Sequence, residues 1–444
     1  MQNRFRSAVN RTSGLEDSSL DRLPGAIRLH VLFGFLVTAY LLSFFFRVSA
    51  AVVLPRLASE IGMSAAMTGF ISSLYYYAYA FVQPLCGSLN DRWGPLRVVG
   101  TGLAVTAAGA SIFMFASTPA ALAAGRLLTG LGLAPMFSGA LVYQSTAFSP
   151  RRYAFYSSVT IAAGNLGAVI SVGPLGAAID RWGRGPVFLF LSALSLFMAG
   201  LLFLNAKADP VRGANRASRL PETPFFSHLK TGFSTLAASR ECRCLATLWG
   251  ISVAAMLAFQ GLWSVTWYQT AYGVEAGVAR NWAGAVGIGI MVGTLLAGRF
   301  SSGPGGRLRS IGWGLSMNLG AWTALWLGIV LRLSLPVTGS LGCLLGGATG
   351  FLVVHFASAL NEMTPRERAG SVLGVVNMLV MVSVIAFQWG TGAILGRFPG
   401  SGAAPSSPLG FSVTFGVVIA LVAASCIAFR GMRNFPEAVR RGSE

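Results

Sequence analysis

Arg47 closes an apolar run, Tyr40-Leu-Leu-Ser-Phe-Phe-Phe-Arg47, and Pro55 follows eight residues later. A guanidinium deep in a membrane-spanning helix costs about 2.5–3.5 kcal/mol on insertion scales, so such a residue faces a cavity or a partner. Tyr40, Ser43 and Arg47 share one helical face by their three- and four-residue spacing. Because a guanidinium forms bidentate hydrogen bonds with carboxylate or phosphate, that face suits an anion. The alternative is a structural arginine satisfied by backbone carbonyls.

Other polar groups lie in similar apolar surroundings. Tyr75, Tyr76, Tyr77 and Tyr79 precede Gln83; Tyr76, Tyr79 and Gln83 share a face, as do Tyr75 and Tyr79. Further on come Gln260, Trp263, Trp267, Tyr268 and Gln269, then Asn165, Asn377 and Gln388 as amides that either line a cavity or join helices. His355 is the one histidine deep in an apolar segment, and imidazole titrates near neutral pH. It is the residual candidate for proton coupling, against the plainer reading of a packing residue. Nucleophile–base clusters, metal-ligand spacing and a phosphate-cradling loop are missing, which argues against an enzyme and against any cofactor or metal. The glycines flanking Ser302 lack the lysine a phosphate loop needs.

These residues must be held by helices in a membrane. Hydrophobic residues make up 54% of the 444 and charged residues 11%, with a mean hydropathy of +0.64, where soluble chains carry roughly a quarter charged residues. About 20 apolar residues span a bilayer. Twelve such stretches are expected, near 28–54, 67–89, 97–116, 120–147, 155–179, 185–205, 243–271, 281–301, 311–333, 336–361, 370–396 and 408–430. The expected architecture is an all-α membrane protein of two six-helix bundles, 28–205 and 243–430. Residues 1–27 form an N-terminal tail, 206–242 a linker and 431–444 a C-terminal tail. Within the linker, Phe225 to Phe233 reads as plain linker or as a short amphipathic helix. Pro84 and Pro174 are expected kinks.

The net charge of +19 is concentrated in the tails and linker, including Arg4, Arg6, Arg11, Arg22, Arg28, Arg430, Arg433, Arg440 and Arg441. That is positive-inside topology. It places both termini in the cytoplasm, in a multi-pass plasma (inner) membrane protein, and makes anionic lipid rather than nucleic acid the partner. Residues 1–26 lack the pattern of a removable signal peptide. Cys86, Cys343 and Cys426 fall in spans, Cys242 and Cys244 at the inner end of the seventh, without a disulfide or metal pattern.

Short loops recur between the halves: Gly87 to Gly94 with a degenerate Gly298 to Gly305, and Ser149 to Arg152 with Thr364 to Glu367. Gly87, Leu89, Asp91, Arg92, Gly94 and Arg97 form a G-x-L-x-D-R-x-G-x-x-R run that resembles the loop signature of the major facilitator superfamily. The resemblance implies a conformational latch there. Arg126, Gly130, Gly132 and Ala134 resemble a second superfamily pattern, in which the arginine bonds a neighbouring helix or relays a proton. Gly164, Gly173 and Pro174 partly resemble the drug/proton antiporter signature, with Ala177 and Ala178 in place of its final glycines.

The segment from Arg47 through Pro55 resembles the opening of organophosphate antiporters and anion/cation symporters, in which the matching arginine binds an anion. Two departures matter. Beyond Arg243 at its inner end the seventh span carries no second arginine, which favours a singly charged carboxylate or amino acid over a phosphate ester. Phe46 and Leu133 stand where proton-coupled relatives often place acids.

The expectation is alternating-access transport of a small organic anion or zwitterion by a monomer. Arg47, Tyr40, Ser43, Tyr76, Tyr79, Gln83, Gln260, Trp263, Trp267, His355 and Asn377 would bind substrate, and Arg126 and His355 are the coupling candidates, with proton or sodium coupling left open. Efflux of an amphipathic compound, and a non-transporting ligand sensor, are the alternatives.

Overall fold

The computed structural model describes residues 24–211, 225–300, 303–400 and 406–431. Arg4, Arg6, Arg11, Arg22, Arg433, Arg440, Arg441 and Ser302 lie outside them, as do residues 212–224 of the linker. Among the described residues the chain is helical and has no strand.

The first six rods are α1 (Pro24–Val48, resumed as Ala50–Glu60), α2 (Ala65–Trp93), α3 (Pro95–Phe115), α4 (Pro119–Leu133, resumed as Met136–Ala147), α5 (Pro150–Ile170, resumed as Gly173–Trp182) and α6 (Arg184–Leu204). A helix over Phe225–Ala238, here called the linker helix, precedes the rest. Then come α7 (Arg240–Ala258, a π turn Phe259–Trp263, and Ser264–Tyr272), α8 (Ala276–Ala297), α9 (Gly303–Val330), α10 (Leu335–Met363), α11 (Arg366–Leu395) and α12 (Pro408–Arg430). Eight helices are long and apolar enough to cross a membrane, nine if the bent α5 counts as one span. The Ala65–Trp93, Ala276–Ala297 and Gly303–Val330 helices fall below that apolarity. The linker segment is helical rather than plain linker, with Gly232 and Leu236 buried while Lys230 and Phe233 are exposed. Its partner is the start of α11, since a Cβ at Gly232 would crowd the Ser371 carbonyl.

Local chemistry starts and breaks these rods. Ser64, Thr118, Ser239 and Ser407 accept from Met67, Ala121, Cys242 and Gly410 backbone N–H groups, satisfying donors that a helix start leaves unpaired. The turns into α3 and α6 need left-handed backbone at Gly94 (φ 81°) and Gly183 (φ 80°). Pro174 sits at the start of the second piece of α5, and the two pieces meet at 43°. The Ala65–Trp93 helix, by contrast, runs unbroken past Pro84. Pro55 removes a donor from the second piece of α1, nearly two turns beyond the break at Ser49.

Small residues set the spacing. A Cβ at Gly293 of α8 would strike the Gly347 carbonyl of α10, so these backbones touch only because position 293 is glycine. Arg28 at the start of α1 donates to Asn205 at the end of α6 at 2.8 Å, so both helix ends lie at the linker end of the bundle. Glu60, Trp182 and Tyr272 therefore finish at the opposite end.

Candidate functional site

The break at Ser49 leaves Arg47 in the last turn of the first piece of α1, and Ser49 Oγ caps Phe46 O at 3.0 Å. Arg47 is 6% exposed. Its guanidinium carbon lies 4.4 Å from the centre of the Phe44 ring and 5.1 Å from that of Tyr79, close enough for attraction to the ring faces. Its Nε finds no hydrogen-bond partner among the described residues. Tyr75 braces the neighbourhood, stacking on Tyr79 with centroids 6.0 Å apart and meeting Tyr76 edge-on at 5.2 Å.

The other side of the site comes from α7 and α11. A Cβ placed on Gly261 would stand 3.6 Å from the Tyr76 hydroxyl, 3.7 Å from Gln388 Nε2 and 4.0 Å from the Arg47 carbonyl. Three helices, α1, α2 and α11, thus converge on the π turn of α7, a local register change that recurs at functional sites. Gln388 donates to Leu257 O at 3.4 Å, while Gln388 Oε1 and Tyr76 Oη are buried and find no hydrogen-bond partner among the described residues. Gln260, 2% exposed, turns toward Gly287 of α8 and Val169 of α5.

Polar pairs close this centre at both ends. On the linker side Gln83 donates to Tyr79 Oη at 3.3 Å, and Asn377 donates to Gln83 Oε1 at 2.9 Å. At the far side Arg280 of α8 pairs with Asp180 of α5. Asp180 also accepts from Arg56 at 3.2 Å, and Arg56 reaches Glu60 at 3.3 Å.

The remaining expected residues are placed as follows. Arg126 donates to Phe46 O at 3.0 Å and Ser72 O at 3.1 Å, and its guanidinium carbon lies 4.8 Å from the Tyr75 ring centre. It therefore staples α4 to α1 and α2, as the carbonyl-bonding reading expected. Ser43 contacts the Tyr75 hydroxyl at 3.4 Å. Tyr40 stacks on Phe137 at 4.9 Å and fills the space over Gly164. Trp263 donates to Thr391 at 3.0 Å. Trp267 is 0% exposed and packs among Phe259, Tyr268, Tyr272 and Phe415, away from Arg47. His355 lies edge-on to Phe351 at 4.4 Å, a ring that in turn meets Phe300 and the face of Gly314, so it sits between α8, α9 and α10 rather than at the centre. Of the residues expected to form a latch, Gly87, Asp91, Arg92 and Arg97 are exposed and Gly94 makes the turn.

Sequence reasoning missed Asp180, Arg280 and the π turn. One signal was available: Asp-Arg-Trp-Gly occurs twice, at 91–94 and 180–183, and both glycines end a helix at positive φ. The second copy stands at the opposite end of the bundle from the first, as an inverted repeat within one half would place it.

A family model described as Major Facilitator Superfamily matches residues 36–388. The chain belongs to the major facilitator superfamily. Its architecture is accordingly the all-α membrane fold of that superfamily, whose members are transporters rather than enzymes. Among curated proteins it is 22% identical over 253 residues to a probable sulfoacetate transporter of Cupriavidus necator, covering 57% of this chain and 56% of that protein. An uncharacterized MFS-type transporter of Burkholderia mallei is 32% identical over 155 residues, 32% of this chain and 38% of the relative. These matches span about half the relatives' length or less. Among solved structures, a bacterial homologue of the human lysosomal transporter Spinster, inward-facing and unoccupied, superposes with a TM-score of 0.71 at 14% identity, covering 92% of this chain and 98% of that one. The nucleoside transporter NupG gives 0.71 at 14% identity, covering 90% and 100%. At such identities the likeness speaks for the superfamily fold alone.

Proposed function

We propose that this superfamily member is a secondary transporter, active or facilitative, of a small organic anion or zwitterionic metabolite, a carboxylate, amino acid or related compound. The observation that carries the reading is the buried guanidinium of Arg47, whose Nε lacks a partner among the described residues and whose neighbours Tyr76 and Gln388 hold oxygens that are unpaired among them too. Each buried polar atom left unpaired costs about 1–3 kcal/mol, and a ligand oxyanion with one donor group would recover that cost at several atoms at once. No acid competes for the arginine: Glu60, Asp91, Asp180, Asp209, Glu241, Glu275, Glu362 and Glu367, the acids of the described residues, stand at helix ends or in loops. The relative named for sulfoacetate, a compound carrying both a carboxylate and a sulfonate, supports an anionic class of substrate.

Alternating access needs two closures that open in turn. Gln83 with Asn377 and Asp180 with Arg280 are the pairs suited to those roles, with the bundles 28–205 and 243–430 rocking about the π turn. Substrate drives the exchange only so far as it binds the two states differently. Arg28, Lys230, Arg240, Arg243 and Arg430 crowd the linker end, which supports a cytoplasmic linker and termini in an inner membrane, against anionic lipid. With acids missing from the centre, facilitated or exchange transport fits better than proton symport through carboxylates.

The test is flux of radiolabelled sulfoacetate and of simple amino acids into proteoliposomes. Arg47→Ala should cost roughly 100-fold, the equivalent of about 3 kcal/mol of charged hydrogen bonding, and Arg47→Lys should restore part of it. Undiminished flux in Arg47→Ala overturns the anchor. Saturable binding without flux would instead favour a ligand sensor.

A further inference from the structure

A cavity of about 410 Å³ opens at the end of the bundle opposite the linker, lined by the second piece of α1, the end of α5, the start of α6, and α7 and α8. Arg56, Arg184 and Arg280 face it together with Glu60 and Asp180, an excess of one positive charge. Arg184 is anchored by donating to Ala116 O at 2.9 Å. The side chain of Arg280 is only 9% exposed, whereas its partner carboxylate on Asp180 is 46% exposed. The cation is therefore built into the wall and the carboxylate reaches it from the open side, as a ligand would. Gly176 leaves room for that arrangement: the Arg280 side chain passes over it through the space that a Cβ there would take. Arg56 holds the other Asp180 oxygen, but its side chain is 55% exposed. Exposed pairs of that kind contribute about 0–1 kcal/mol, so Arg56 exchanges partners readily.

We infer that this outer cavity is a second anion site, in which Arg280 and Arg56 receive a small carboxylate or sulfonate in place of the Asp180 carboxylate that occupies them here. The inference takes its class of ligand from the reading of the central site and none of its geometry. Asp180 belongs to α5 and Arg280 to α8, so separating these helices to open this end removes the carboxylate from a wall-bound cation. An unpaired buried charge is strongly destabilising. An anion from solution relieves that cost, so anion binding and opening of this end favour each other. The same anion is thereby captured on α8, one step outside Arg47, which lies nine residues before Arg56 on α1.

Gln269 lines the cavity and is exposed, so Gln269→Cys reports on it. The full chain carrying that change, in lipid nanodiscs that expose both faces, is labelled with a fluorescent maleimide while sodium methanesulfonate or sodium acetate is titrated against sodium chloride at constant ionic strength. The protein with only its five native cysteines supplies the background. The expected result is a saturable change in labelling rate. Asp180→Asn should lower its midpoint roughly tenfold, Arg280→Gln should abolish it, and Arg47→Ala should leave it in place. Arg280→Lys, should Arg280→Gln fail to fold, must still raise the midpoint several-fold. An unchanged midpoint in Arg280→Gln or Arg280→Lys overturns the site, as does an effect lost in Arg47→Ala, which would be a signal relayed from the centre. An identical response to chloride alone overturns it as general screening. Because the readout is labelling, its failure leaves the flux result for Arg47 standing, and the reverse is also true.

Discussion

Asn377 donates from Nδ2 to Oε1 of Gln83 at 2.9 Å, across 294 residues of chain and between α2 and α11. The bond continues a short relay, because Gln83 also donates to Tyr79, whose ring lies over the Arg47 guanidinium. A change at Arg47 therefore has a direct route to the closure at the linker end.

Gln83→Ala and Asn377→Ala should each loosen that closure. A neutral hydrogen bond contributes about 0.5–1.5 kcal/mol net, equivalent to a shift of roughly 2- to 12-fold in the ratio of linker-side-open to closed molecules. Double electron–electron resonance between spin labels at the linker-side ends of α2 and α11 measures it. The double variant should shift no further than either single one, since one bond is being removed; additive shifts would show that the two amides act separately.

Arg126 is predicted to matter for assembly rather than for proton movement. Two charge-assisted bonds to the Phe46 and Ser72 carbonyls fasten α4 to the break in α1 and to α2, and such bonds contribute about 1.5–3 kcal/mol each. Arg126→Ala should lower the unfolding midpoint in detergent markedly, and Arg126→Lys should recover one bond and part of the midpoint. A stable Arg126→Ala protein that has lost only pH-dependent uptake would reverse the assignment to a relay.

How far the sequence reveals this molecule differs from helix to helix. Many expected ends of the spans fall within a few residues of the observed ones, as at 97–116 against Pro95–Phe115, where polar loops and helix caps mark them, whereas α9 starts at Gly303 against an expected 311 and α1 ends at Glu60 against an expected 54. Arg47 was legible because a cation in an apolar run stands out. Tyr76 and Gln388 were legible in the same way, as polar groups in apolar runs; the π turn at Phe259–Trp263 beside which they stand was not, because one added residue of backbone leaves no trace in hydropathy. Trp267, expected to bind substrate, packs instead in the aromatic core with Phe259 and Phe415. Arg280 lay one residue outside its expected span, 281–301, where a charge attracts no notice.

Gly293→Ala should destabilise the second bundle. The added methyl has nowhere to go except against the Gly347 carbonyl, so α8 and α10 must part along a glycine-lined seam. Forcing a methyl into such a contact costs about 1–3 kcal/mol. Denaturant titration of the purified protein should show the lower midpoint, and flux should fall with the folded fraction while the substrate's half-saturation stays constant. A changed half-saturation at full stability would mean that the seam moves during transport.

His355 gives the sharpest test of coupling. Both ring nitrogens are buried without partners among the described residues, the ring packs against Phe351, and His355 lies eight residues before the linker-side end of α10 at Met363. At 1.5 Å per residue that is about 12 Å from the helix end, on a face turned toward α8 and α9. A titrating relay needs a second group to take the proton, and the centre around Arg47 supplies no carboxylate. Replacing an unpaired buried polar group by an apolar one of similar shape is near neutral or stabilising, so His355→Phe should fold as well as the parent or better. Accumulation of substrate driven by an imposed pH gradient, compared with the same gradient collapsed by an ionophore, should give the same ratio in parent and variant. A ratio that falls to one in His355→Phe, with binding intact, would show that this imidazole carries the proton after all.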